Sequence, residues 1–169
     1  PGICGAGDDI ELARSVAASM GIPHTELDLC ALFRDTVMAN FVSEYVRGRT
    51  PNPCVDCNRE IKFGALLDWA LDQGADAMAT GHYARVGYDE ETGRHLLLRG
   101  RDRKKDQSYF LFQLTQHQLA HLLLPVGEFE KPDIRAMAED YGLVNAQKPD
   151  SQDICFVPDG DYAAFLQAQ

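Results

Sequence analysis

The side chains best placed to do chemistry are the cysteines of Cys54-Val55-Asp56-Cys57, reached through Thr50-Pro51-Asn52-Pro53. Two prolines separated by one residue forbid both helix and central strand, so 49–53 reads as a loop. Asn58 is then expected to cap a helix that starts directly after Cys57. A thiol at that N-terminus faces unpaired N–H groups and the positive end of the macrodipole, with Arg59 and Lys62 one turn in. The spacing is open to three readings: a low-pKa nucleophile, part of a metal or cluster site, or two inert thiols. Zinc normally wants four ligands, and no second C-x-x-C or C-x-x-H is present.

The other cysteines say less. Cys155 stands between Ile154 and Phe156, a setting that predicts a buried thiol on a short strand. Cys30 opens an apolar helix, and Cys4 lies near the start. Five cysteines in 169 residues do not make a disulfide scaffold, because a chain of this size needs no stapling and the set cannot pair fully. His82 follows Ala79-Thr80-Gly81 at the carboxyl end of a predicted strand, where open α/β sheets bind ligands, and Gly81 would let a nucleotide approach the backbone. His117 and His121 share a helical face, but Gln118 stands where a zinc protease would carry its glutamate, so an exposed face is expected. Gly2, Gly5 and Gly7 do not have the spacing of a dinucleotide fingerprint.

Positioning these groups requires a set of alternating elements. Apolar spacing predicts helices over 8–20, 32–46 and 58–73, stopped by Gly21, Gly48 and Gly74. Further helices are expected from Thr115, around Pro132 and after Asp159. Strands are predicted at 24–29, 77–80 and 154–157, with a hairpin formed by 83–86 and 95–98. Helices alternating with short apolar strands define an α/β fold with a mainly parallel sheet.

Composition bounds the function. The net charge is −10, with 45% apolar and 25% charged residues, as in an ordinary globular protein. No apolar run exceeds five residues, which excludes a transmembrane helix, and no signal peptide is visible; the chain reads as cytoplasmic. The charge argues against a protein that coats nucleic acid. Its distribution qualifies that. Ten of the 16 basic residues fall within 47–62 and 94–105, which together carry +7 and leave −17 on the rest. A solvated charge run is the ordinary explanation for one such cluster. Two clusters, one of them around a candidate nucleophile, point to a polyanionic substrate.

Four strings occur in an order that resembles the tRNA-specific 2-thiouridylases of the PP-loop ATPase superfamily. They are Gly48 through Phe63, Ala79-Thr80-Gly81-His82-Tyr83, Lys105-Asp106-Gln107-Ser108-Tyr109-Phe110-Leu111 and Asp150-Ser151-Gln152-Asp153-Ile154-Cys155-Phe156. The segment from Pro125 to Arg135 resembles one shared more widely among PP-loop ATPases. The resemblance implies a Rossmann-like, adenine nucleotide alpha-hydrolase-like α/β domain over 1–158, and the start of a following linker domain at 159–169. It implies an enzyme that uses ATP with Mg2+ to adenylate the 2-carbonyl oxygen of a wobble uridine and replaces that oxygen with sulfur. Cys155 would carry a persulfide and Cys57 would be its partner nucleophile, freeing the sulfur or ending in a disulfide with Cys155. Asn52, Pro53 and Cys54 would line the target base, Lys105, Asp106 and Gln107 would touch tRNA, and Gly81 would contact the nucleotide. The implied partners are tRNA and a persulfide donor, either a cysteine desulfurase or a sulfur-relay protein, with no membrane and no resident metal.

The family's phosphate loop, Ser-Gly-Gly-x-Asp-Ser after the first strand, is absent from this sequence, as is its C-terminal β-barrel. The fold is therefore expected to be incomplete at the N-terminus, and these 169 residues alone to bind ATP weakly and not to thiolate. Cys54 stands where some relatives carry aspartate, which admits an iron–sulfur cluster on Cys54, Cys57 and Cys155. A non-catalytic zinc or iron–sulfur RNA-binding module using the same three cysteines is the competing reading. A general PP-loop amidotransferase or synthetase would leave Cys57 and Cys155 without a role.

Overall fold

The computed structural model describes residues 7–148, 154–157 and 160–168. Cys4, the Asp150–Asp153 part of the fourth string, and Asp159 with the expected 158/159 boundary lie outside them. The chain divides into two compact units, one spanning Cys54–Ala136 and the other Pro1–Pro53 with Met137–Gln169.

In the Cys54–Ala136 unit the chain enters through a short helix, α4 (Pro53–Asp56), which runs on as π-helix over Cys57–Leu66 and then as α5 (Leu67–Asp72). Val55, Ile61, Phe63 and Leu67 form its buried side. Gly64 matters within the π-helical stretch, because a Cβ there would stand 2.8 Å from the Arg59 carbonyl oxygen. Strand β1 (Met78–Ala79) pairs in parallel with β4 (Leu122–Leu123). Strands β2 (Ala84–Asp89) and β3 (Arg94–Arg99) form the predicted hairpin, with Ala84 opposite Arg99 and Asp89 opposite Arg94. Asp89 closes its turn by accepting the N–H of Glu91 at 3.0 Å and the hydroxyl of Thr92 at 2.7 Å.

The core of this unit is Phe63, Ala84, Leu111, Leu122 and Leu124, with Met78, Val86, Leu97 and Leu114 packed on it. Period-two alternation places Ala84, Val86 and Leu97 on that side of the hairpin. A tight turn at Pro125–Glu128 lies against β2, where a Cβ on Gly127 would fall 1.7 Å from the Ala84 carbonyl oxygen. Only glycine fits there. Helix α6 (Gln116–Ala120) begins at the expected Thr115, whose side chain and that of Gln118 form a reciprocal capping box. Helix α7 (Lys131–Asp140) carries Pro132 in its first turn.

In the other unit, α1 (Gly7–Ser19) precedes a continuous helical run: α2 (Cys30–Phe33), π-helix over Arg34–Met38 and α3 (Ala39–Val46). Phe33, Val37, Met38 and Phe41 are its buried positions. Phe41 is surrounded by rings, with centroids 4.9 Å away at Tyr45, 5.2 Å at Phe156 and 5.9 Å at Phe165. Helix α8 (Tyr162–Gln167) is capped by Asp161, whose carboxylate accepts the Ala164 N–H at 2.9 Å.

The structure corrects four local expectations. Residues 24–29 form no strand; they are largely exposed and find no ladder partner among the described residues. Residues 154–157 form a turn, closed by a 2.9 Å bond from the Val157 N–H to the Ile154 carbonyl oxygen. The strand expected at 77–80 is parallel but shortened to Met78–Ala79, with Ala79 exposed. Asn58 caps nothing, because the helix has already begun at Pro53.

Candidate active site

Starting the helix at Pro53 changes the setting of the thiols. Proline lacks an N–H and has a preset φ, so it opens a helix without losing a bond. Cys54 falls in the first turn and is exposed, whereas Cys57 is a turn further in and half-buried. The expected placement of Cys57 at a helix N-terminus is therefore wrong; the end of the helix belongs to Cys54. At i and i+3 the two thiols share one helical face. Val55 and Asn58, 4% and 2% exposed, are the buried positions next to them. The Asn58 amide donates to the Phe110 carbonyl oxygen at 3.1 Å, while its buried Oδ1 has no partner among the described residues.

The basic residues around the thiols are largely committed. Arg59 pairs with Asp56 at 3.3 Å and Glu60 at 2.6 Å, and also donates to Gln113. Arg47 and Arg49 both engage Glu44, which holds its carboxyl below the usual range. Lys62 remains exposed, and its charge acts on His82.

His82 follows β1 with its ring 5.7 Å from that of Phe63 and its Nδ1 2.9 Å from the Thr80 hydroxyl. Burial first, and the Lys62 charge second, push its pKa down to about 4. The imidazole is neutral at physiological pH. Gly81 beside it is exposed, and a Cβ there would meet no atom within 4 Å. The open backbone and a neutral ring at the carboxyl end of a parallel strand suit the uncharged part of a nucleotide.

Asp106 and Gln107 turn out to hold their loop together. The Asp106 carboxylate accepts the Gly100 N–H at 2.8 Å and the Ser108 hydroxyl at 2.8 Å. Burial opposes its ionisation, but these donors outweigh that and keep the carboxyl below its ordinary value. Gln107 makes two bonds to Tyr83, accepting its N–H at 3.0 Å and donating its own N–H to the Tyr83 carbonyl oxygen at 2.8 Å. Asp102 accepts the N–H groups of Lys131 at 3.0 Å, Lys104 at 3.0 Å and Lys105 at 3.2 Å, which lowers its carboxyl. These bonds fix the backbone and leave the Lys104 and Lys105 side chains exposed.

In the other unit, Cys155 is exposed in its turn while Phe156 and Val157 beside it are 7% and 3% exposed. The prediction of a buried thiol is thus overturned. No disulfide is formed among Cys30, Cys54, Cys57 and Cys155. Among the described residues no three His, Cys, Asp or Glu side chains are grouped to hold a metal ion. His117 and His121 lie with ring centroids 4.7 Å apart, His117 on the exposed face that was expected. Sequence reasoning overlooked the exposed rings of Tyr109 and Phe112 and the inward-facing Asn58; Asn58 looked like a cap because the helix start was misplaced. No helix among the described residues is long and apolar enough to cross a membrane.

A parallel strand pair flanked by helices, with an open glycine and a histidine after its first strand, defines a Rossmann-like α/β nucleotide-type domain. The family described as "tRNA methyl transferase HUP domain" matches residues 1–159, and the chain belongs to it. It is 54% identical over 157 residues to a protein named tRNA-specific 2-thiouridylase MnmA 2 from Thermoanaerobacter sp. (strain X514), covering 93% of this chain and 43% of that protein. It is 57% identical over 155 residues to tRNA-specific 2-thiouridylase MnmA of Carboxydothermus hydrogenoformans, covering 92% and 42%. With the protein of that name from Solibacter usitatus it shares 53% identity over 167 residues, covering 99% and 45%. The chain therefore spans less than half the length of these relatives.

Proposed function

We propose that this chain is the catalytic part of an ATP-dependent tRNA-uridine 2-sulfurtransferase, with residues 1–158 its catalytic domain and 159–169 the start of a linker domain. One observation carries the reading: identity of 53–57% runs through 92–99% of the chain to proteins named tRNA-specific 2-thiouridylase. The substrate is cytoplasmic tRNA. ATP with Mg2+ supplies the adenylyl group that turns the wobble-uridine 2-oxygen into a phosphate leaving group, with release of pyrophosphate. Gly81 offers open backbone to that nucleotide, and the target base lies against Asn52, Pro53 and Cys54.

Cys155, exposed on its turn, receives a persulfide from a cysteine desulfurase or sulfur-relay protein. The Cys57 thiolate attacks Cys155 Sγ, the sulfur–sulfur bond to the outer sulfur breaks, and hydrosulfide leaves. Hydrosulfide adds to C2 of the adenylated uridine, AMP departs with the oxygen, and 2-thiouridine remains. The resulting Cys57–Cys155 disulfide is returned to two thiols by a dithiol reductant. Lys105, exposed on the loop whose backbone Asp102 fixes, contacts tRNA.

In the full-length enzyme, Cys57→Ser and Cys155→Ser are each expected to abolish 2-thiouridine formation, read by mass spectrometry of tRNA digests. Wild-type levels in either variant would overturn the assignment.

A further inference from the structure

Tyr109 and Phe112 are 64% and 59% exposed, an unusual state for two large rings three positions apart. Their centroids lie 5.8 Å apart with the planes tilted by 36°. Tyr109 lies in the turn Ser108–Leu111 and Phe112 directly follows it, and the turn is fixed from behind: Leu111 is 1% exposed in the core, and the Phe110 carbonyl oxygen accepts the Asn58 amide at 3.1 Å. Asp106 joins this turn to the preceding basic run, taking the Gly100 N–H with one oxygen and the Ser108 hydroxyl with the other, both at 2.8 Å. Arg99, Arg101, Arg103, Lys104 and Lys105 therefore belong to the same clamped segment as the two rings, with Asp102 the one acid between them before Asp106. Asp102 already accepts three backbone N–H groups.

An exposed aromatic pair beside a cationic run is the arrangement that binds unpaired nucleotides, since every base has a face to stack and every phosphate a charge to meet. A protein partner would match the rings without needing the cations. We propose that Tyr109 and Phe112 form a stacking platform for an unpaired tRNA base, with phosphates of the same strand on the basic run of 99–105. This rests on the tRNA reading above and extends it to a subsite, with Asp106 as the positioning residue that ties rings to cations.

The test uses the full-length enzyme and an anticodon stem-loop RNA carrying 2-aminopurine at successive loop positions. Quenching at one position is expected on binding, and Tyr109→Ala with Phe112→Ala should remove it while weakening Kd about 5- to 100-fold. The conservative pair Tyr109→Phe with Phe112→Tyr should retain both, which separates stacking from loss of fold. Unchanged quenching and affinity in the alanine pair would overturn the platform. So would protection of both rings from hydroxyl-radical oxidation in the RNA-free enzyme, which would mean protein covers them. Failure of the wild-type enzyme to bind the RNA at all would instead count against the tRNA reading itself.

Discussion

The Phe156 ring meets Phe41 almost perpendicularly, with centroids 5.2 Å apart, and Cys155 stands at the surface because its neighbour is held inside. Phe41 is fully buried and Phe156 is 7% exposed. Edge-on ring pairs add to simple burial, so this contact sets where the turn at 154–157 sits.

Phe41→Ala removes the ring around which Tyr45, Phe156, Tyr162 and Phe165 gather, and is expected to cost about 3–5 kcal/mol. Phe156→Leu, which keeps most of the volume, should cost less than about 1.5 kcal/mol. Urea unfolding of both variants checks the ranking.

Gly127→Ala places a methyl 1.7 Å from the Ala84 carbonyl oxygen, so backbone must move. A loss of about 3 kcal/mol or more is expected, against about 0.5 kcal/mol or less for Gly81→Ala, whose Cβ meets nothing within 4 Å. Thermal denaturation distinguishes the two. In the full-length enzyme Gly81→Ala should still raise KM for ATP.

His82 has its pKa pushed down to about 4 from 6.5, so the folded state holds the neutral ring. Its contribution is present above the unfolded value and is lost as pH falls from about 6.5 through 4, because the unfolded chain then binds the extra proton. The lost stability is at most about 3 kcal/mol. Unfolding free energy across that window should decline less in His82→Asn, and the His82 ring resonance should titrate near the low value.

Cys54 and Cys155 are exposed and Cys57 is half-buried. Brief treatment with iodoacetamide should therefore label Cys54 and Cys155 several-fold faster than Cys57, as read by peptide mass spectrometry. Equal rates would show that Cys57 opens more readily than its burial implies.

Asp106→Ala deletes the acceptor of the Gly100 N–H and the Ser108 hydroxyl. A loss of about 1–3 kcal/mol is expected, with weaker tRNA binding because the basic run loses its tether. Proteolysis within 99–108 should accelerate in this variant.

Much of the fold was readable because local rules set it. Gly21, Gly48 and Gly74 lie at the ends of helical stretches with positive φ, Thr115 caps α6, and the 84–99 hairpin follows its polar turn. The strands at 24–29 and 154–157 were not readable. Apolar composition marks a segment as burying something, but a strand also needs a neighbouring ladder, and Ile154–Val157 satisfies its burial through the Phe41 and Phe33 rings instead.

The sequence alone determined which groups exist to do chemistry: the Cys54/Cys57 spacing, a glycine at 81 after a predicted strand, a cysteine at 155 among apolar residues, and basic runs set on an acidic chain. Only the tertiary structure decided what each is free to do. It moved the helix start from Asn58 to Pro53, giving the N-terminal position to Cys54, and brought Cys155 to the surface. It also spent Asp106 and Gln107 on the loop and left Tyr109 and Phe112 uncovered. Residue type and spacing fix chemistry and local geometry, but exposure and hydrogen-bond commitment depend on contacts between segments distant in sequence, such as Asn58 with Phe110.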